Sequence, residues 1–97
     1  MLEVNEYFGG QVKSIGFKNS SVPSTVGVME AGEFTFSTSQ KEVMTVVSGE
    51  LIIKLPDEYE WRIYKAGESF TVDANQSFDV KVELETAYLC TYEQSPK

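Results

Sequence analysis

Hydrophobic and polar residues alternate along much of the chain, most clearly near its C-terminal end. Apolar side chains fall on one face and charged ones on the other in the run Phe78, Asp79, Val80, Lys81, Val82, Glu83, Leu84 and Glu85. A period of two is typical of an antiparallel strand that buries one face. The alternation therefore predicts a half-buried strand over Phe78–Leu84.

Short runs rich in β-branched and aromatic residues recur along the rest of the chain, separated by Gly, Pro, Asn or Ser. Signals for helices are nearly absent, so the chain is predicted to be all-β. The further predicted strands are Gln11–Phe17, Thr25–Glu30, Glu33–Ser37, Val43–Ser48, Glu50–Leu55, Glu60–Tyr64, Ser69–Val72 and Ala87–Tyr92, with a break at Lys18–Pro23. Closing so many short strands into a small barrel hides their edges economically.

The chain is long enough for one hydrophobic core and too short for two, with 97 residues of which 41% are hydrophobic. We expect a single domain over residues 1–97, with its core at about 7–92 and a flexible tail at 93–97. The N-terminus lacks the pattern of a secretory signal, and no apolar run approaches the roughly 18 residues of a spanning helix. These features favour a cytoplasmic protein.

Charge and composition exclude several function classes. A net charge of −7 disfavours nucleic acids and anionic membranes as partners. The chain has no histidine, which removes the common zinc and iron ligand and every Ser-His or Cys-His nucleophile. Cys90 has no partner for an internal disulfide and is interpreted as a small hydrophobe, because no histidine can activate it.

The stretch GEFTFSTSQKEVMTVVSGEL, residues 32–51, resembles the first motif of the cupins, and the segment from Gly67 to Phe78 resembles the second. The motif positions that hold metal ligands in cupins are occupied here by Thr38, Gln40, Glu42 and Phe78. One carboxylate with two neutral oxygens and a phenyl ring is a poor site for a transition metal. We therefore expect a small cupin (jelly-roll) barrel without a metal.

Six segments carry a more specific resemblance over essentially the whole chain, in conserved order: NEYF, VKSIGF, TVGVM, GEFTFST, EVMTVVSGEL and AYLCTY. Together they are similar to the cupin-fold pyrimidine/purine nucleoside phosphorylase family. The resemblance implies a homodimer without a cofactor that uses phosphate to cleave diverse nucleosides to free base and (deoxy)ribose 1-phosphate. The substrates it implies are uridine, cytidine, thymidine, adenosine, guanosine, inosine and xanthosine.

Strand parity predicts which side chains of the motif point inward. If the cupin frame holds, Phe34, Phe36 and Thr38 face inward on one strand, and Glu42, Met44 and Val46 on the next, with Phe78 and Val80 opposite. We assign Phe36, Met44 and Phe78 to packing against the base; the alternative for the two phenylalanines is ordinary core.

Glu42 is the first candidate for hydrogen bonding the ribose hydroxyls or supporting a cationic transition state, against the alternative of a solvated edge carboxylate. Thr38 is a candidate donor to phosphate, with the alternative that backbone groups satisfy its hydroxyl. Lys13, within VKSIGF, is the candidate cation for phosphate, and Arg62 has suitable fork geometry but no motif support. Tyr88 shares one face with Cys90 and Tyr92 and is a candidate for substrate binding or for a dimer interface.

Two other functions remain open from the sequence. The same pocket suits a cupin that binds a small molecule without catalysis, because one fold hosts many functions. A structural domain whose aromatic residues serve only dimerisation is the second alternative.

Overall fold

The computed structural model describes residues 1–93, and most of them lie in antiparallel strands. A short 3₁₀ turn at Phe8–Gly10 follows the first strand. In the described part of the chain, no helix has the length and apolar character needed to cross a membrane. The strands are β1 (Glu3–Tyr7), β2 (Val12–Asn19), β3 (Val22–Met29), β4 (Gly32–Ser37), β5 (Lys41–Ser48), β6 (Glu50–Lys54), β7 (Arg62–Lys65), β8 (Ser69–Val72), β9 (Ser77–Val82) and β10 (Thr86–Glu93).

The strands form two sheets that share one core. The six-stranded sheet has the order β1-β2-β3-β10-β5-β8, and the four-stranded sheet has the order β4-β9-β6-β7. The all-β, cupin-like class is confirmed, but the hydrogen-bonded ladders form a sandwich and do not close into one barrel. The core takes side chains from both sheets, including Val12, Met29, Met44, Val46 and Tyr88 from the larger and Phe34, Leu51, Ile53, Phe78 and Val80 from the smaller.

Alternation explains most of this burial. Phe78, Val80 and Val82 on β9 are buried, as predicted, because successive strand residues point to opposite faces. Leu84 was expected to continue this face, and that prediction is wrong. The strand ends at Val82, so Leu84 lies in the following turn and is 78% exposed.

The N-terminal part of the chain departs from the prediction in two places. Residues Lys18–Pro23 do not form a long break, because Ser20 and Ser21 alone make the turn between β2 and β3, both with positive φ. Positive φ at both central residues is typical of a tight type I′ hairpin. Strand β1 was not predicted; its residues are mostly exposed, so it carries no apolar alternation. At the other end β10 continues through Glu93, and residues 94–97 of the expected tail lie outside the described residues.

Candidate active site

A cavity of about 200 Å³ opens between the two sheets at the corner where the cupin motif predicts a site. It is formed by side chains from β2, β4, β5, β9 and β10, together with the end of β1 and the β4–β5 connection. Its lining residues are Tyr7, Ser14, Phe36, Ser37, Ser39, Glu42, Met44, Phe78, Tyr88, Cys90 and Tyr92. The interior at this corner is therefore open to a ligand and is not filled by core side chains.

One wall of the cavity is apolar and largely aromatic. Phe36 on β4 lies directly opposite Phe78 on β9, and their rings stack with centroids 5.7 Å apart and planes 23° apart. Phe8, from the 3₁₀ turn, packs edge-on against Phe36 at 5.3 Å. Met44 adds a thioether from β5. Offset aromatic pairs of this kind make a rigid apolar surface that suits a flat ring.

Glu42, Cys90 and Tyr92 come from β5 and β10, which pair in register at this corner and also carry Met44. Met44 lies opposite Cys90, and Glu42 lies opposite Tyr92. The Cys90 thiol donates a hydrogen bond of 3.5 Å to Oε1 of Glu42. The Tyr92 hydroxyl shares a 3.1 Å hydrogen bond with the hydroxyl of Thr25. Glu42 is therefore hydrogen-bonded to the Cys90 thiol and lies across the ladder from Tyr92.

Burial raises the pKa of the carboxyl, thiol and phenol groups at this corner. Loss of solvent raises the pKa of Glu42 above the ordinary value for a glutamate, and the hydrogen bond from Cys90 opposes the shift. Burial likewise raises the pKa values of Cys90 and Tyr92, with the Glu42 carboxylate adding to the rise at both. It raises the pKa of Tyr88 to about 12. The thiol and these hydroxyls therefore stay protonated near neutral pH.

Tyr88 reaches into the cavity across a glycine. Gly27 on β3 is the register partner of both Tyr88 on β10 and Ser14 on β2. A Cβ at Gly27 would lie 2.7 Å from the Tyr88 hydroxyl and 2.6 Å from the Lys13 carbonyl oxygen, so only glycine leaves room for the ring. Ser14 in turn accepts a 3.5 Å hydrogen bond from the Asn5 amide on β1.

The structure brings most of the predicted site residues together. Five of them line the cavity: Phe36, Glu42, Met44, Phe78 and Tyr88. Their grouping follows from strand parity, which correctly places Phe34, Phe36 and Thr38 on the buried side of their segment. Tyr88 lies in the cavity wall and is 5% exposed.

Thr38 is buried but does not line the cavity. Its hydroxyl donates to the Asp73 carbonyl at 2.6 Å and accepts from the Gln76 amide at 3.0 Å. The Thr38 backbone amide also donates a hydrogen bond of 2.9 Å to the Gln76 carbonyl. Thr38 thus anchors the turn between β8 and β9. Its hydroxyl is bonded to backbone groups, as in the alternative to a phosphate contact.

Neither candidate cation points into the cavity. Lys13 lies on the outer face of β2, between the buried Val12 and Ser14, and its Nζ is 3.3 Å from Oε1 of Glu6. Arg62 is exposed on β7, where it pairs with Glu58 at 3.1 Å. The cavity lining described here contains neither lysine nor arginine.

Several cavity residues were not among the predicted ones: Tyr7, Ser14, Ser37, Ser39, Cys90 and Tyr92. Strand parity alone predicts that Ser14 points inward, because Ser14 lies two residues after the apolar Val12 on β2 and so shares its face. Cys90 was interpreted as a small hydrophobe, and it is 2% exposed within the core. Its thiol also donates a hydrogen bond to Glu42. Tyr7 carries no such signal, since it comes from the unpredicted β1.

The oxygen and sulfur donors at this corner are few. Gln40 is exposed, Thr38 is bonded to backbone, and Glu42 is the one carboxylate in the lining. Within residues 1–93 no group of three or more His, Cys, Asp or Glu side chains is placed to hold a metal ion. Independence from metals remains a prediction.

Comparison with known proteins gives the family of this chain. A family model described as pyrimidine/purine nucleoside phosphorylase matches residues 2–92. The chain belongs to the pyrimidine/purine nucleoside phosphorylase family. A relative of that name from Teredinibacter turnerae is 61% identical over 94 residues, covering 97% of this chain and 100% of its own. Another from Magnetococcus marinus is 62% identical over 92 residues, covering 95% of this chain and 99% of its own.

Solved structures agree with the fold of this nucleoside phosphorylase family member. A protein of unknown function from Vibrio parahaemolyticus superposes with a TM-score of 0.92 at 47% identity, covering 96% of this chain and 99% of the other. An RmlC-like cupin from Shewanella frigidimarina gives a TM-score of 0.75 at 19% identity, covering 99% and 86%. The second likeness shows the cupin fold alone.

Proposed function

We propose that the protein is a nucleoside phosphorylase that uses phosphate to cleave the N-glycosidic bond of pyrimidine and purine nucleosides, releasing the base and ribose 1-phosphate or its deoxy counterpart. Membership of the family and the name that its relatives carry support this reaction. The observation that carries it is one cavity in which the stacked Phe36–Phe78 pair faces the Glu42 carboxyl. That arrangement offers one surface to a base and another to a sugar.

The aromatic wall explains a broad range of bases. Stacking engages the π-face that every nucleobase has and does not read the pattern of donors and acceptors on its edge. Phe36, Phe78 and Met44 therefore accept uridine, cytidine, thymidine, adenosine, guanosine, inosine and xanthosine in this proposal. At about 200 Å³, the cavity is below the roughly 300–1,000 Å³ of drug-sized ligand sites, so a nucleoside fills it and extends to the mouth.

Neutral hydroxyl groups bind the phosphate in this proposal. Ser14, Ser37, Ser39 and Tyr88 line the cavity and provide hydrogen bonds. The two candidate cations, Lys13 and Arg62, are paired with carboxylates outside it. The attacking phosphate is therefore positioned by hydrogen bonds against the anomeric carbon of the ribosyl group.

The reaction needs no metal or other cofactor in this proposal, with phosphate as co-substrate. The decisive experiment incubates purified protein with uridine or adenosine, with and without phosphate, and separates the products by chromatography. We expect base and ribose 1-phosphate only with phosphate, and an unchanged rate after treatment with a chelator. Equal base release without phosphate would indicate a hydrolase, and no release from any nucleoside would favour a small-molecule-binding protein without catalysis.

A cytoplasmic homodimer is the proposed form of the enzyme. The outer face of the six-stranded sheet supports association, since Val4, Ile15, Val26 and Leu89 are consecutive register partners across four strands and the first three are 38–61% exposed. Exposed apolar surface of this kind favours contact with another protein. Light scattering of the purified protein should give twice the mass of one chain, and cell fractionation tests the location.

A further inference from the structure

The cavity has no charged group that would stabilise an anionic base as it departs. Its lining includes neither lysine nor arginine, and the chain as a whole carries a net charge of −7. The hydroxyl groups of the lining are assigned to phosphate, so an anionic base would be left without a partner, and a buried anion without a partner is strongly unfavourable. A base that leaves this cavity therefore needs a proton as the glycosidic bond breaks, and one of the lining residues has to supply it.

The acids that face the cavity differ in how readily they give up a proton. Cys90, Tyr88 and Tyr92 are all held protonated by burial, so each is a poor proton donor at neutral pH. Tyr7 lies at the exposed mouth, 44% exposed. Glu42 is the one carboxyl group in the lining, and its pKa is shifted upward by burial. A carboxyl group whose pKa is raised keeps its proton to a higher pH than an ordinary glutamate does, which favours Glu42 as the proton donor.

Geometry places this carboxyl beside the surface that we assign to the base. Glu42 and Met44 point to the same side of β5, and Met44 belongs to the apolar wall. The Cys90 thiol holds Oε1 from the neighbouring β10. On the third strand of this group, Val72 of β8 is the register partner of Glu42 and adds no charge. The ion pair of Lys41 and Glu93, at 3.7 Å, lies one residue further along β5 and β10.

We propose that Glu42 is the general acid of the reaction and donates its proton to the departing base. This inference rests on the proposed function. An oxygen of dihydrogen phosphate forms the new bond to C1′ while the bond from C1′ to the base nitrogen breaks. The electron pair of the broken bond goes to the base nitrogen. Glu42 protonates the base and recovers a proton from the hydroxyl of the attacking phosphate. The net result is transfer of one proton from phosphate to the base.

The test compares two substrates that differ in their need for a proton. The base of 7-methylguanosine already carries a positive charge, so it departs as a neutral molecule without protonation. The bases of inosine and uridine carry no such charge and need a proton to depart as neutral molecules. For E42Q we expect kcat/KM to fall roughly 100- to 10,000-fold with inosine and uridine, the usual contribution of general acid catalysis. With 7-methylguanosine we expect a change of less than about tenfold, since only the proton transfer has been removed.

The pH profile gives a second, independent readout. With inosine, the kcat of the native protein should fall as pH rises through the pKa of Glu42 in the complex, and E42D, which keeps a carboxyl group, should retain this limb. E42Q should lose it. Glu3→Gln makes the same chemical change on the exposed edge strand β1 and should leave both profile and rate unchanged.

Each outcome decides the question. An equal loss with both substrates would overturn the proposal and assign Glu42 to the ribosyl group, and no loss with either would remove it from the mechanism. Circular dichroism melting of E42Q excludes a folding defect as the cause of a loss. If native protein releases no base from any of the three nucleosides in phosphate, the proposed function itself fails, a result distinct from failure of the general acid.

Discussion

Gly27 provides a sharp test of how the cavity is built, because it is the point at which Tyr88 crosses β3. In Gly27→Ala the new Cβ would lie 2.6 Å from the Lys13 carbonyl oxygen, 2.7 Å from the Tyr88 hydroxyl and 2.8 Å from Cζ of the same ring. The first neighbour is backbone, so a side-chain rotation does not relieve all three contacts. Both the ring and the β2–β3 ladder must shift.

Overpacking of this kind destabilises a protein by about 1–3 kcal/mol. For a domain of this size each kcal/mol lowers the Tm by roughly 4–8 °C, so the expected loss is about 4–24 °C. We also expect a lower kcat/KM at temperatures well below the Tm, because the Tyr88 hydroxyl is displaced from the cavity. Thermal unfolding followed by circular dichroism measures the first effect, and the base-release assay measures the second.

Gly16→Ala is the matched control. Gly16 lies on the neighbouring β2, and the nearest atom to its added Cβ is the Ser24 carbonyl oxygen at 4.0 Å. This variant should be unchanged or stabilised by up to about 1 kcal/mol, since alanine restricts the unfolded chain. If the two variants have the same Tm, the close approach at Gly27 does not have the consequence that we derive from it.

Three further substitutions test separate parts of the site. Thr38→Val should destabilise the protein by about 1–3 kcal/mol, because the Gln76 amide loses an acceptor, and should leave kcat nearly unchanged; a large fall in kcat with an unchanged Tm would return Thr38 to catalysis. Phe36→Leu should raise KM roughly tenfold for purine and pyrimidine nucleosides alike, since stacking contributes about 1–3 kcal/mol per base; a change confined to one class would contradict a wall that reads no base edge. Glu42→Gln should raise the Tm at pH 8 by more than at pH 4.5. The raised pKa of Glu42 gives stability that is present at low pH and lost as pH rises through that value, so a constant Tm difference would refute the shift.

The sequence was sufficient for the inward face of the central strands, and the reason is the fixed period of two. Phe36, Met44 and Phe78 reach one cavity because parity holds across β4, β5 and β9. Parity does not show where a strand stops, which is why Leu84 was misplaced. It also does not show what a buried hydroxyl contacts: Thr38 faces inward as predicted, yet the turn at 73–76 uses its oxygen.

The N-terminal contribution to the site was beyond reach for a different reason. Strand β1 is an exposed edge whose residues have no buried face, so selection for a core leaves no pattern in them. Tyr7 reaches the cavity only because β1 pairs with β2, a long-range fact of topology. For Lys13 the sequence did contain the answer, because alternation along β2 places its side chain on the outer face. It was chosen as a phosphate ligand because it lies in a segment that carries the family resemblance.

The last strand of the chain lies in the middle of the larger sheet, between β3 and β5. Tyr88, Cys90 and Tyr92 all come from it, so a growing polypeptide that has not yet reached residue 92 lacks one side of the cavity. Pairings between such distant segments also form slowly. The binding chamber therefore forms only when β10 has inserted between β3 and β5, and a deletion of Thr86–Glu93 should abolish the chamber and divide the larger sheet.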